Sequence, residues 1–190
     1  MTRPEVWLVR HGETAWSASG RHTSRTDLSL TEAGRAAALE LGTVLTGQHF
    51  VAVVTSPLQR ARDTCALAGL GASAVVDDDL REWDYGSYEG VTTADIRSER
   101  PGWSLWRDGC PGGEDAAQVG ARVDGLIARM REYDGTLAVF GHGHCLRVLG
   151  ARWVGLPAED GALLALDTAT LSRLGWEREQ PIIRSWNVQP

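Results

Sequence analysis

Two short apolar runs lie far apart in this chain, and each leads into a turn that carries a histidine. Residues 6–9 (VWLV) precede Arg10 and His11, and residues 137–140 (LAVF) precede His142 in a Gly-His-Gly turn. Their length and composition predict buried β-strands. Ligands of open α/β sheets bind beyond the carboxyl ends of parallel strands, so neighbouring strands would bring the two histidines face to face. The arginine beside one of them suggests that an anion binds there.

The remaining periodicities predict strands that alternate with helices. Apolar residues recur at helical spacing over residues 31–46, 58–68, 115–133 and 144–153. Strand-like runs occupy residues 51–56, 74–76, 163–166, 170–176 and 182–186. Residues 81–113 are rich in glycine and tryptophan without clean periodicity, and we expect a long irregular segment with one short helix there. The alternation predicts a three-layer α/β/α sandwich with a mostly parallel central sheet, formed by residues 1–190 as a single domain.

Composition narrows the classes of function. The chain has 190 residues, of which 43% are hydrophobic and 23% charged, as is typical of a globular domain with a full core. A net charge of −6 argues against a nucleic-acid binder, although clustered arginines can still form a positive pocket for an anionic substrate. The three cysteines lack metal-ligand spacing, and no signal peptide or membrane-spanning run is recognisable. These observations predict a cytoplasmic protein without a membrane partner.

Four polar clusters carry side chains suited to phosphoryl transfer. They contain Arg10 with His11, then Arg60, then Glu82, and finally His142. A guanidinium can hold a phosphate through paired hydrogen bonds, and a neutral imidazole is a competent nucleophile. A positioned carboxylic acid can protonate the leaving oxygen and afterwards activate water.

The same clusters resemble, in order, the motifs of the histidine phosphatase superfamily, the phosphoglycerate mutase-like proteins. Residues 10–14 (RHGET) resemble its RHGE/T signature, and residues 56–64 resemble its SPxxRAxxT block. Residues 80–82 (LRE) resemble its acidic LxE segment, and residues 141–143 its GHG turn. The resemblance spans nearly the whole chain, and four ordered motifs are far more specific than one RHG triplet. It implies the phosphoglycerate mutase-like fold and no metal or organic cofactor.

The resemblance assigns catalytic roles to five residues. His11 is the expected nucleophile, which becomes phosphohistidine. Arg10, Arg60 and His142 are expected to hold the phosphate and to stabilise charge in the transition state. Glu82 is expected to protonate the leaving group and later to act as the base for water.

Six further residues are candidate substrate contacts. Ser17 stands where many relatives have asparagine, and Ser24 replaces a glycine that follows the position of Thr23. The added Cβ of Ser24 lies where backbone approaches substrate in relatives, which bears on the fit of a bulky substrate. The candidate contacts are Ser17, Thr23, Ser24, Trp83, Tyr85 and Gly143.

The segment that follows Glu82 favours a phosphatase over a mutase. Mutases of the superfamily often read ERHYG there, whereas residues 82–86 of this chain read EWDYG. A mutase must retain a bisphosphorylated intermediate, which requires several cations beyond the catalytic phosphate. Residues 75–90 also resemble the corresponding segment of sedoheptulose-1,7-bisphosphatase-type members and of bacterial acid phosphatases. We therefore expect hydrolysis of phosphate monoesters, with sugar phosphates and bisphosphates as candidate substrates.

Other interpretations remain open at this stage. Glu82 could be a surface acid, Arg62 could form a structural ion pair, and residues 77–79 (DDD) are typical of a solvated turn. His144 could begin a helix or line the pocket. His22 and His49 resemble surface residues, although His22 lies on the loop near Thr23 and could touch substrate. The rival functions are a phosphoglycerate mutase and a phosphate-recognising module without catalysis. The sequence is compatible with a monomer or a homodimer that acts on a small phosphate ester and binds no nucleic acid.

Overall fold

A six-stranded mixed sheet forms the centre of the protein, in the order β3-β2-β4-β1-β5-β6. The computed structural model describes residues 3–190. The strands are β1 (Glu5–Arg10), β2 (Ala52–Thr55), β3 (Ala74–Val76), β4 (Thr136–Gly141), β5 (Leu171–Glu177) and β6 (Gln180–Val188). The first four are mutually parallel, and β5 and β6 continue the sheet as antiparallel strands. The predicted α/β class and mostly parallel sheet are confirmed.

Helices cover both faces of this sheet. They are α1 (Ala15–Ala18), α2 (Glu32–Leu45), α3 (Gln59–Leu67), α4 (Thr93–Glu99), α5 (Leu105–Asp108), α6 (Ala116–Met130) and α7 (Gly143–Trp153). Alternate residues of β1 point to opposite faces: Val6 and Leu8 join the core beneath α6 and α7, and Trp7 and Val9 join the core beneath α2 and α3. Because both faces of β1 are buried, its sequence is apolar without alternation.

The pairing of β1 with β4 places the two predicted histidine turns side by side. The strands are parallel neighbours, and Arg10 lies opposite Gly141 in the register. His11 and His142 therefore follow the same end of adjacent strands, with ring centroids 5.1 Å apart. The expectation that they face one another is confirmed.

One predicted strand is wrong. Residues 163–166 do not join the sheet; a 3-10 helix covers Ala158–Leu163, and Leu163 is 76% exposed. Arginine side chains from elsewhere bind carbonyls of this segment: Arg147 bonds Gly161 and Ala162, and Arg10 bonds Leu166. These contacts hold the segment against the edge of the candidate site instead of in the sheet.

The irregular segment 81–113 contains two short helices, α4 and α5, where one was expected. The short helix α1 follows the first histidine turn and begins at a capping box between Thr14 and Ser17. Within residues 3–190, no helix is long and apolar enough to cross a membrane.

Candidate active site

A cavity of about 270 Å³ opens where β1 and β4 end. Its walls come from the two histidine turns, the loop around residues 20–23, the segment 82–106 and the start of α7. The lining contains four arginines and a single carboxylate, although the whole chain has a net charge of −6. The charged lining residues are Arg10, Arg21, Arg97, Arg147 and Glu82. Such a cavity concentrates positive potential and suits an anionic ligand.

His11 is held in one tautomer by its own turn. Its Nδ1 lies 2.7 Å from the carbonyl oxygen of Gly12, and a carbonyl only accepts, so Nδ1 carries the proton. In the neutral ring, Nε2 then carries the free lone pair. The turn is tight: a Cβ on Gly12 would lie 2.4 Å from the carbonyl oxygen of Gly34, which requires glycine here.

The surroundings of His11 keep its ring neutral. Burial lowers its pKa well below the ordinary value, and the charges of Arg10 and Arg60 lower it further, against a smaller opposing effect of the Gly12 hydrogen bond. A neutral imidazole with a free Nε2 is the form that can attack phosphorus.

Arg10 presents unused hydrogen-bond donors beside His11. Its Nη1 donates to the carbonyl of Leu166, but its buried Nε has no partner among residues 3–190. Its guanidinium lies against the backbone of Gly143, where a Cβ would come within 3.3 Å of Cζ. Burial of the group lowers the pKa of Arg10, and the charge of Glu82 opposes this effect. A buried donor without a partner is costly, so this edge of the guanidinium is poised for an acceptor that enters the cavity.

His142 is fully buried and has protein partners at both ring nitrogens. Arg60 Nε donates to its Nδ1 over 3.2 Å, and its Nε2 lies 2.7 Å from Ser56 Oγ. Because Arg60 can only donate, the neutral ring carries its proton on Nε2, the opposite tautomer to His11. Burial, Arg60 and His11 lower the pKa of His142 well below its ordinary value.

Arg60 ties this histidine to the loop that walls the cavity. Its Nη1 donates to the carbonyl of Thr26, and its Nη2 donates to the carbonyls of Thr23 and Ser24. Arg60 and His142 lie just behind the wall of the cavity, whereas Arg10 and His11 line it. Ser56 belongs to this arrangement and was not predicted, although it opens the SPxxRAxxT block.

Glu82 lies at the start of α7, where backbone N–H groups point outward. Its Oε1 accepts from the backbone nitrogens of Trp83 and Cys145, both over 2.9 Å, and its Oε2 accepts from that of His144 over 3.1 Å. Anionic groups are favoured at helix N-termini. The carboxyl group is therefore fixed in the cavity wall, and Oε2 has the smaller number of protein donors.

Four of the six predicted substrate contacts line the cavity. Ser17 and Thr23 contribute small polar side chains, and Gly143 contributes backbone. The Tyr85 hydroxyl lies 2.6 Å from Nδ1 of His144. Tyr85 is buried, which raises its pKa well above the usual value and keeps its phenol protonated.

The other two predicted contacts, Ser24 and Trp83, lie outside the cavity. Trp83 is fully buried, and its indole N–H donates to the carbonyl of Glu114. The Ser24 hydroxyl donates to Glu89 over 2.6 Å, and its backbone nitrogen bonds the same carboxylate. Burial raises the pKa of Glu89, but the hydrogen bonds from Ser24 and Thr26 outweigh this effect and lower it. The serine Cβ is thus accommodated by a partner behind the loop.

The segment directly after Glu82 lacks the basic residues of mutases, but cations line the cavity from other elements. Three further arginines line the cavity, one in the loop after α1, one in α4 and one in α7: Arg21, Arg97 and Arg147. Arg147 lies over the ring of Trp106, with 4.6 Å from its Cζ to the centroid. These cations come from elements other than the segment directly after Glu82.

His22 lines the cavity, which is the alternative that the sequence left open beside a surface position. It is buried, its Nδ1 bonds the carbonyl of Val91 over 2.8 Å, and burial lowers its pKa. His49 is exposed, as expected. Arg62 is exposed and forms no ion pair within the part of the chain that the structure describes, while Asp77 and Asp79 both pair with Arg129.

The site is equipped for phosphoryl transfer, because it combines an imidazole with a free lone pair, an unpaired guanidinium edge and a fixed carboxyl group. The fold and site are those of an α/β enzyme of phosphate esters.

Comparisons with known proteins identify the family. The model of the histidine phosphatase superfamily (branch 1) matches residues 6–189. An acid phosphatase of Mycobacterium tuberculosis is 45% identical over 175 residues, which cover 90% of this chain and 85% of that protein. A sedoheptulose 1,7-bisphosphatase of Saccharomyces cerevisiae is 39% identical over 186 residues, which cover 80% of this chain and 68% of that protein. The solved structure of the product of open reading frame Rv3214 of Mycobacterium tuberculosis gives a TM-score of 0.91 at 40% identity and covers 97% of both chains. The chain therefore belongs to the histidine phosphatase superfamily.

Proposed function

We propose that this protein hydrolyses phosphate monoesters through a phosphohistidine intermediate on His11. One observation carries the proposal: the buried Nε of Arg10 has no partner within residues 3–190, and it lies beside an imidazole whose Nε2 is free. The names of two relatives, an acid phosphatase and a sugar bisphosphatase, agree with hydrolysis.

In the first step, Arg10 binds two oxygens of the phosphoryl group and holds phosphorus in line with Nε2 of His11. Nε2 attacks phosphorus as the bond to the ester oxygen breaks. Glu82 is the general acid of this step, and a proton on Oε2, the oxygen with the smaller number of protein donors, passes to the departing oxygen. The products of this step are an alcohol and phosphohistidine, with Glu82 left as carboxylate.

In the second step, the Glu82 carboxylate takes a proton from water, and the resulting hydroxide oxygen attacks the phosphohistidine. The N–P bond breaks, its electron pair returns to Nε2, and inorganic phosphate leaves. Arg60 stabilises the developing charge, since its guanidinium is buried immediately behind the two histidines, and His142 holds that guanidinium in place through Nδ1.

The substrate class that the cavity fits best is a sugar phosphate with a second anionic group. Arg21, Arg97 and Arg147 supply positive charge beyond that of Arg10, and Trp106 offers an apolar surface to a sugar face. The relative named sedoheptulose 1,7-bisphosphatase has a substrate of this kind in its name.

The same three arginines favour a phosphoglycerate mutase as the second candidate, because they could retain a bisphosphorylated intermediate. Incubation with 3-phosphoglycerate and a 2,3-bisphosphoglycerate primer separates the two. We expect slow release of inorganic phosphate; fast formation of 2-phosphoglycerate would establish the mutase.

The test of the proposed function is phosphate release from four esters: sedoheptulose 1,7-bisphosphate, fructose 1,6-bisphosphate, 3-phosphoglycerate and 4-nitrophenyl phosphate. His11→Ala should abolish release, whereas the matched variant His49→Ala changes an exposed histidine and should behave as wild type. Phosphate binding without turnover of any ester would instead support a non-catalytic module.

The proposal also includes a cytoplasmic location and a single domain that acts as a monomer or homodimer. The cysteines at positions 65, 110 and 145 are all free and buried, which suits a reducing compartment. Cell fractionation and light scattering test these points, and recovery in a membrane or extracellular fraction would contradict the location.

A further inference from the structure

His144 lines the cavity beside the proton donor Glu82. Its side chain is 24% exposed and lines the cavity, and Nδ1 lies 3.9 Å from Oε2 of Glu82. Nδ1 has Tyr85 as its partner, while Nε2 has no hydrogen-bond partner within residues 3–190. The proposed mechanism uses the backbone nitrogen of His144 and leaves its ring without a role.

The direction of the hydrogen bond between Tyr85 and His144 follows from burial. Tyr85 is 2% exposed, and its hydroxyl has no other partner in the described chain. If Nδ1 donated, the phenolic proton would be buried without an acceptor, which is costly. The Tyr85 hydroxyl therefore donates to Nδ1. The neutral ring then carries its proton on Nε2, as an N–H donor.

Aromatic neighbours hold the ring in place. The Trp106 ring lies 5.3 Å from that of His144 between centroids, at 57°, and the Tyr85 ring lies 5.8 Å away at 81°. The ring cannot turn over without giving up the bond to Tyr85. The ring belongs to the cavity lining, and a donor that is fixed in direction can select a ligand by hydrogen bonding.

We propose that His144, oriented by Tyr85, determines specificity by donating from Nε2 to an acceptor oxygen on the leaving group of the substrate. This inference rests on the proposed function and adds a requirement to it. Glu82 protonates the ester oxygen, and His144 lies beside Glu82, so the recognised oxygen is attached close to the ester linkage. Sugar phosphates and phosphoglycerate carry such an oxygen, whereas 4-nitrophenyl phosphate has none near its ester.

The experiment compares kcat/KM for two esters in wild type and in three variants. The esters are 4-nitrophenyl phosphate and whichever of the three metabolite esters named above is hydrolysed fastest. His144→Leu removes the donor, and His144→Gln places an amide N–H near the position of Nε2. Tyr85→Phe removes the hydroxyl that orients the ring and keeps the bulk of the side chain.

We expect His144→Leu to lower kcat/KM for the metabolite ester about tenfold more than for the aryl ester, which corresponds to one hydrogen bond. His144→Gln should restore most of the wild-type preference for the metabolite ester over the aryl ester that His144→Leu loses. Tyr85→Phe should weaken it through KM, and ¹⁵N spectra should show the wild-type His144 ring protonated at Nε2 and the Tyr85→Phe ring in mixed tautomers.

If His144→Leu and His144→Gln lower kcat/KM equally for both esters, the inference is overturned, since equal decreases indicate a packing role for His144. Unchanged discrimination, or a wild-type ring protonated at Nδ1, would also overturn it. If the wild type hydrolyses none of the esters, the proposed function itself fails. That result is distinct from an active wild type whose variants do not discriminate.

Discussion

The free energy of unfolding should fall steeply between pH 7.5 and pH 5.5, because three buried histidines and one half-buried histidine lie in and around one cavity. Burial is the main cause of the lowered pKa of each, namely His11, His22, His142 and His144. In the unfolded chain each has a pKa of about 6.5. As the pH falls through that value, the unfolded state binds protons that the folded state excludes, so stability is complete above pH 6.5 and is lost below it.

The magnitude follows from linkage. A histidine that stays neutral in the folded state down to pH 5.5 removes about 1.4 kcal/mol of stability between pH 7.5 and pH 5.5. His11 and His142 should contribute this full amount, since both are buried and both have a pKa well below the ordinary value. His144 is partly open to the cavity and the pKa of His22 is less lowered, so each contributes less. The four histidines together should lower the free energy of unfolding by about 3–5 kcal/mol between pH 7.5 and pH 5.5.

Urea unfolding in phosphate-free buffer, at intervals of half a pH unit, measures how the free energy of unfolding changes with pH. His11→Asn places an amide N–H near Nδ1 and keeps the bond to Gly12, so it should reduce the loss by about 1.4 kcal/mol. His49→Asn changes an exposed histidine and should leave the slope unchanged. A slope that does not differ between wild type and His11→Asn would refute the reasoning that His11 is neutral when folded.

Three further predictions concern the site. Arg10→Met should lower kcat/KM at least 100-fold and weaken phosphate binding in calorimetry, because charge-assisted bonds contribute about 1.5–3 kcal/mol each, whereas Arg62→Met should do neither. Gly12→Ala should lower the free energy of unfolding by about 1–3 kcal/mol, since its Cβ would meet backbone at 2.4 Å. In the control Gly125→Ala, in α6, the added Cβ would have no neighbour closer than 3.6 Å, so this substitution should raise the free energy of unfolding by about 0.5–1 kcal/mol. Equal changes in the free energy of unfolding for the two alanine variants would contradict the packing argument. The acidic limb of the profile of kcat/KM against pH should lie below pH 6.5, because the pKa of His11 is lowered; a limb at or above pH 6.5 would contradict this assignment.

The elements that position the site could be predicted because their signals are local. The two apolar runs that precede His11 and His142 are buried on both faces, and their composition predicts buried strands. That the two strands are neighbours was a condition of the prediction, and the pairing of β1 with β4 meets it. The run at residues 163–166 has the same composition but does not pair with the sheet. Arg10 bonds the carbonyl of Leu166, and Arg147 bonds those of Gly161 and Ala162 just before the run. Both arginines lie outside the run, so no local pattern reports the difference.

The inner part of the site was predictable from motifs, whereas the cavity wall was not. Ser24 and Trp83 were predicted as contacts because they neighbour motif residues in sequence, yet the chain turns both away from the cavity. Arg97 and Arg147 line it from α4 and α7 and have no motif of their own. His144 stands directly after the GHG turn, and only its hydrogen bond to Tyr85 gives its ring a direction.

The most direct test of the account is to trap the phosphoenzyme. The wild-type protein is mixed with 4-nitrophenyl phosphate, quenched in base within milliseconds and analysed by peptide mass spectrometry. We predict an acid-labile phosphoryl group on Nε2 of His11, formed and lost at rates that match turnover, and absent from His11→Ala. Turnover without a phosphorylated intermediate, or a phosphoryl group on another residue, would contradict the central role of His11.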